Sequence, residues 1–158
     1  MSVLSRLAVL VVALAALPVA AQAPRTADLV DWRVRAERAA PGATARLVLD
    51  ATIAPGWRMY AIGSPVGIPL VLTVGDLPAG VTAGPVGQSE TREAHDPVFE
   101  QDYPYFAESG RVVQALRVGA GARSGSYEVA GSVRFAICDD RICLPPTTQA
   151  FRVPLVVE

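Results

Sequence analysis

The chain has no lysine and no asparagine, a single histidine, and only two cysteines among its 158 residues. Without lysine, all 14 basic side chains are arginines, and they are scattered among 15 acidic residues to a formal net charge of −1. That distribution leaves no basic patch for a nucleic-acid backbone and no acidic tail for storing cations. Without asparagine, the Asn-Gly hairpin turn does not occur, so turns fall to other residues, Pro-Gly pairs among them. His95 and Met59 are the only soft ligands besides the cysteines past the amino terminus. Two thiolates need more partners than these to complete a copper or zinc site, and neither a metal nor any other cofactor is expected. Past the amino terminus, no apolar run approaches the ~20 residues that span a bilayer.

The amino terminus itself is distinctive. Met1–Arg6 carries one positive charge, Leu7–Leu17 is unbroken apolar sequence, Pro18 ends it, and Val19-Ala20-Ala21-Gln22-Ala23 is mostly small. This is the pattern of a secretory signal peptide. Cleavage after Ala21 satisfies the small-residue rule, whereas cleavage after Ala23 leaves Pro24 at the new terminus. The expectation is a signal peptide over 1–21, extending to 23 at most, and an exported single domain over 22–158. A chain of this length supports one core of ordinary domain size. No cysteine stands at the cleavage site to carry a lipid, so no membrane insertion is expected after cleavage.

Beyond residue 24 the pattern is period two, interrupted by Gly and Pro, with no sustained helical periodicity. Val30, Trp32, Val34 and Ala36 alternate with charged residues, as a strand with one buried and one wet face requires. Ala45, Leu47, Leu49, Ala51 and Ile53 form a second apolar face, followed by strand candidates at Trp57–Ala61, Leu70–Val74 and Val112–Val118. Tyr127, Val129, Gly131, Val133, Phe135 and Ile137 form the cleanest alternation, which turns Cys138 to the opposite side. Phe151, Val153, Leu155 and Val157 close the series. Residues 75–111 show little alternation and read mostly as loop, a length commonest where a loop serves as a lid or binding surface. About seven short strands indicate an all-β, immunoglobulin-like sandwich, with a small barrel as the alternative.

Cys138-Asp139-Asp140-Arg141-Ile142-Cys143 sits between the last two strands. If the four intervening residues form a hairpin loop, the cysteines face each other at ~5.5 Å between Cα atoms, and export favours their oxidation to a disulfide. A ring this small restricts the unfolded chain little, stabilising by roughly 2 kcal/mol. Rings beside a turn are prone to strain, which belongs with labile disulfides. The spacing is not Cys-x-x-Cys, so helix-based thioredoxin chemistry is not implied. Spacing and export thus leave both an inert staple and a reactive bond open.

Gly56-Trp57-Arg58-Met59-Tyr60, Asp96-Pro97-Val98-Phe99, and above all Phe135-Ala136-Ile137-Cys138 through Cys143-Leu144-Pro145-Pro146 resemble the amino-terminal periplasmic domain of the thiol:disulfide interchange protein DsbD family. The resemblance runs from about residue 29 to residue 158. It implies an immunoglobulin-like periplasmic domain with protein-disulfide reductase activity, passing electrons through a reversible Cys138–Cys143 disulfide. By position, Cys143 is then the exposed attacking thiol and Cys138 the resolving one. The resemblance also implies a cap loop shielding the pair through Phe99, with Asp96 at its acidic position and Tyr103, Tyr105 and Phe106 as substitutes for the aromatic. It places Tyr60 against the disulfide. Implied partners are periplasmic thiol-disulfide proteins and a membrane or thioredoxin-like electron donor, with the domain acting as a monomer. Family members continue into a membrane domain and a thioredoxin-like domain, whereas this sequence ends at Glu158, which sets the expectation of a separately encoded donor. The competing reading is a non-catalytic immunoglobulin-like binding module with a structural disulfide.

Overall fold

The structure, a computed structural model, describes residues 24–158; the expected signal peptide lies outside them. A single 3-10 turn at Thr26–Asp28 precedes strands β1 (Val30–Ala36), β2 (Thr44–Ile53), β3 (Arg58–Tyr60), β4 (Val71–Val74) and β5 (Val81–Gln88). These are followed by β6 (Arg92–Asp96), β7 (Gln101–Ala107), β8 (Ser109–Val118), β9 (Gly125–Phe135), β10 (Ile137–Cys138) and β11 (Thr147–Val157). The strands build an antiparallel sandwich of two sheets, in the immunoglobulin-like class. The larger sheet runs β1-β2-β8-β7-β3-β10, with β5 added to β8 and β6 to β7. The smaller runs β11-β9-β4.

The alternating apolar faces meet between these sheets. Ala45, Leu47, Leu49, Ala51 and Ile53 of β2 are all buried, as are Val129, Val133 and Phe135 of β9 and Val153, Leu155 and Val157 of β11. Trp32 on β1 meets Phe135 on β9 edge-to-face at 5.5 Å between ring centroids, bridging the two sheets. Such a pair is worth roughly 0.5–1.5 kcal/mol beyond the area it buries.

The segment 75–111 corrects the reading from sequence, because β5, β6, β7 and the start of β8 lie within it. The physical reason is that β5 and β6 bury little, and that the buried residues of β7, Tyr103 and Phe106, stand three apart and so show no period of two. β5 is a mostly exposed strand whose register against β8 shifts between Ala83 and Val86. β6 forms a hairpin with β7, and most of its residues reach solvent. Backbone pairing organises this stretch, and backbone pairing leaves no apolar period in a sequence. Among the described residues the strand count rises to eleven accordingly.

β7 and β8 are nearly one strand broken at Glu108, which takes a left-handed φ of 67°. Ile53 donates its amide to the Glu108 carbonyl at 2.8 Å, and Gly110 lets the Phe106 ring lie against the backbone, where a Cβ would fall 2.6 Å from Cγ. β7 meets β8 only at Ala107 and Ser109, so β6, β7, β3 and β10 form a wing of the larger sheet beyond this corner. At Ala136 the chain leaves the smaller sheet, where Phe135 pairs with Thr147, and joins this wing, where Ile137 pairs with Met59. That switch delivers the first cysteine to the wing.

Candidate functional site

Three registers define the wing. Ile137 pairs with Met59, and Met59 with Phe106; all three are buried in the core. One residue along, Cys138 pairs with Arg58, and Arg58 with Ala107. Because successive side chains alternate, this rung faces away from the core, together with Tyr60 and its cross-strand partner Tyr105. Cys138 therefore turns opposite to Phe135 and Ile137, as the alternation requires.

Cys138 and Cys143 are joined, with Sγ atoms 2.05 Å apart and Cα atoms 4.0 Å apart. The Asp139 amide donates to the Ile142 carbonyl at 2.9 Å and the Leu144 amide to the Ile137 carbonyl at 3.0 Å. These bonds flank the cysteines on both sides, which makes the pair the non-hydrogen-bonded rung of a tiny antiparallel ladder. That rung is the one where facing Cβ atoms come closest, so the separation falls below the ~5.5 Å of a hydrogen-bonded pair. Asp139 holds the turn: its Oδ1 accepts from the amides of Arg141 at 2.8 Å and Ile142 at 2.7 Å. The same donors hold its carboxyl below the ordinary carboxylate value.

The two sulfurs have different surroundings. Cys138 is 5 % exposed, whereas Cys143 is exposed on the outer side of the turn. The Tyr60 hydroxyl lies 3.6 Å from Cys138 Sγ and 4.0 Å from Cys143 Sγ, with the phenol as the only possible donor to a disulfide. Burial raises the Tyr60 phenol above its ordinary value, Tyr103 and Asp96 reinforce the rise, and Arg58 opposes it. Tyr60 thus keeps its proton at neutral pH. Its ring rests on Gly67, whose φ is 68° and where a Cβ would fall 2.3 Å from the ring.

Tyr103 is buried and its ring lies 5.3 Å from that of Tyr60, with Tyr105 another 6.0 Å beyond. Asp96 ends β6 and its Oδ1 accepts from the amides of Val98 and Phe99, building the hairpin tip at 97–100. Phe99 stands on that tip, 61 % exposed. The structure therefore gathers Cys138, Cys143, Tyr60 and Tyr103 at one place. Asp96 is close enough to act on Tyr60, and Phe99 projects from the adjoining hairpin.

Two residues here were not singled out from sequence. Arg58 sits beside Cys138 in register, pairs with Asp140 in the cysteine turn, and lies over the Tyr105 ring at 5.7 Å. Its position two residues before Tyr60 was the available signal, since i and i+2 share a strand face. Thr26 donates its hydroxyl to the Pro145 carbonyl at 2.6 Å, tying the first described residues to the segment after Cys143. No short-range pattern announces a contact across 119 residues. Pro24 and Ala27 line a groove there with Leu144, Pro145 and Pro146.

Among the described residues there is no group of three or more His, Cys, Asp or Glu side chains arranged to hold a metal ion. No helix among them is long and apolar enough to cross a membrane.

The fold has counterparts. No curated protein sequence matches the chain. Among solved structures, the N-terminal periplasmic domain of ScsB from Proteus mirabilis superposes with a TM-score of 0.53 at 12 % identity, over 79 % of this chain and 46 % of that one. The likeness shows a shared fold, and this chain spans less than half of the ScsB chain. The reduced DsbD N-terminal domain of Neisseria meningitidis aligns at 18 % identity and a TM-score of 0.48, over 67 % of this chain and 74 % of that one. The sequence over residues 26–155 matches the family described as thiol:disulfide interchange protein DsbD, N-terminal. With nearly every described residue inside that match, the chain belongs to the DsbD N-terminal family.

Proposed function

We propose that this is a periplasmic thiol-disulfide exchange module in which Cys143 attacks the disulfide of a client protein and Cys138 resolves the mixed disulfide. The observation that carries the reading is the unequal burial of one bonded pair, with Cys138 5 % exposed and Cys143 open to solvent. A docking thiol protein reaches only one of the two sulfurs, so the order of attack is set by access. In the reducing direction the Cys143 thiolate displaces one client sulfur, and Cys138 then displaces the other while the Cys138–Cys143 bond re-forms. Two electrons pass to the client, which makes the domain a protein-disulfide reductase. They are returned by a membrane-embedded or thioredoxin-like dithiol. Family membership supports this role, and the signal-like amino terminus supports export with removal of residues 1–21, leaving a monomeric domain from residue 22.

Phe99 is the shield in this reading. The hairpin tip that carries it is built by Asp96, and its base carries Tyr103 against Tyr60. Movement of the tip then exposes or covers the sulfurs without disturbing the core.

The test equilibrates the mature domain in glutathione and dithiothreitol buffers and pairs it with a trapping experiment in the periplasm. A potential above about −300 mV is expected, together with defined mixed disulfides on Cys143 in a Cys138→Ser variant. A potential well below that value, with no specific adducts, overturns the proposal and leaves a binding module with a structural bond.

A further inference from the structure

We infer that Arg58 is the positioning residue that makes the buried Cys138 a competent resolving thiolate, and that Asp140 sets how much of the guanidinium charge the sulfur receives. The inference deepens the exchange reading and rests on Cys138 being the resolving thiol. In that step Cys138 gives its proton to solvent, and its thiolate attacks Cys143 Sγ in the mixed disulfide. The Cys138–Cys143 bond forms, the bond from Cys143 to the client breaks, and the client sulfur leaves with the electron pair and takes up a proton. Over attack and resolution together the domain loses two electrons and the client gains two.

Burial works against this step. An enclosed thiol resists ionisation, because the thiolate gives up its hydration. The groups around Cys138 are mostly of the wrong kind to help. Tyr60 on β3 and Tyr103 and Tyr105 on β7 bring phenols and no positive charge. Asp96, from the end of β6, acts on Tyr60 with a negative charge. Asp139 and Asp140 in the turn are negative as well. Arg141 directs its charge at Asp139, and Arg92 of β6 is paired with Glu108. Arg58 remains, placed directly across from Cys138 by strand register.

Its side chain is only 27 % exposed, held over the Tyr105 ring on one side and by Asp140 on the other. Asp140 is 88 % exposed, so the pair is anchored at one end and loose at the other. An exposed pair of this kind adds little to stability. Its charge is felt locally nonetheless, since Arg58 opposes the rise of the Tyr60 phenol, whose hydroxyl touches Cys138 Sγ.

The experiment measures the pKa of the Cys138 thiol in a Cys143→Ser background, from thiolate absorbance and from the pH dependence of alkylation. Arg58→Gln is expected to raise that pKa by about one unit, a roughly tenfold loss of thiolate near neutral pH. Asp140→Asn is expected to lower it, because the guanidinium is released toward the sulfur, and Arg58→Lys retains most of the wild-type value. A mere clamp on the turn predicts the same direction for Arg58→Gln and Asp140→Asn, since either breaks the pair. Shifts of the same sign, or no shift in Arg58→Gln, overturn the inference. If Arg58→Gln folds poorly, Arg58→Met takes its place as the charge-removing variant: a raised pKa supports the inference, and an unchanged or lowered one overturns it. The readout needs no client, so a domain that fails to exchange with clients sinks the proposed function while leaving this measurement to stand by itself.

Discussion

Replacing Gly67 by alanine is expected to destabilise the domain through the residue that touches the disulfide. Two penalties add at this position. The φ of 68° is left-handed, and an alanine held there costs about 1 kcal/mol. The added methyl also falls 2.3–2.7 Å from three atoms of the Tyr60 ring, too close for contact, and such overpacking costs roughly 1–3 kcal/mol. Together these amount to about 2–4 kcal/mol, or roughly 10 °C in melting temperature for a domain of this size. Gly63 isolates the first penalty, because its φ is 79° and nothing lies within 4 Å of the added methyl. Gly63→Ala should therefore cost only about 1 kcal/mol. A double-mutant cycle between Gly67→Ala and Tyr60→Ala should return a coupling of about 1–3 kcal/mol, since removing the ring relieves the clash. Urea unfolding of the oxidised domain supplies all five stabilities. The reasoning is refuted if Gly67→Ala costs no more than Gly63→Ala, or if the cycle is additive.

Two further outcomes follow from the same geometry. Thr26→Val keeps the shape of a buried side chain but removes the donor to the Pro145 carbonyl, so the urea midpoint of the oxidised domain should fall by the equivalent of about 0.5–1.5 kcal/mol. Phe99→Ala, at an exposed tip, should change stability by less than ~0.5 kcal/mol while making reduction of the disulfide by a small thiol several-fold faster. An unchanged reduction rate removes Phe99 from the role of shield.

The elements legible in the sequence are those that bury one face. β1, β2, β9 and β11 alternate because the sandwich interior collects every second side chain, and their positions follow from that period alone. β5 was not legible because it is a mostly exposed strand added to β8, and β6 and β7 were not because the wing they help to build is held by backbone pairing and by a corner at Glu108 that no residue type announces. The same division applies to the site. Cys138 and Cys143 were visible through their spacing, and Tyr60 through the family resemblance. The exposure of Cys143 was legible only through the family resemblance, because the burial of Cys138 depends on β10 pairing with β3, far away in the sequence. Arg58 stood in plain view within a recognised motif, but its relation to Cys138 exists only once β10 has crossed from one sheet to the other.

The small ladder under the disulfide bears on what turnover asks of the fold. Its two backbone hydrogen bonds, the Asp139 turn and the Arg58–Asp140 pair all hold the same six residues that the covalent bond holds. Breaking the bond therefore releases a crosslink whose ends are already kept in register. The chain has little to rearrange in the dithiol state and little to search for before closing again. A turn held in this way has a low reorganisation cost between its two redox states.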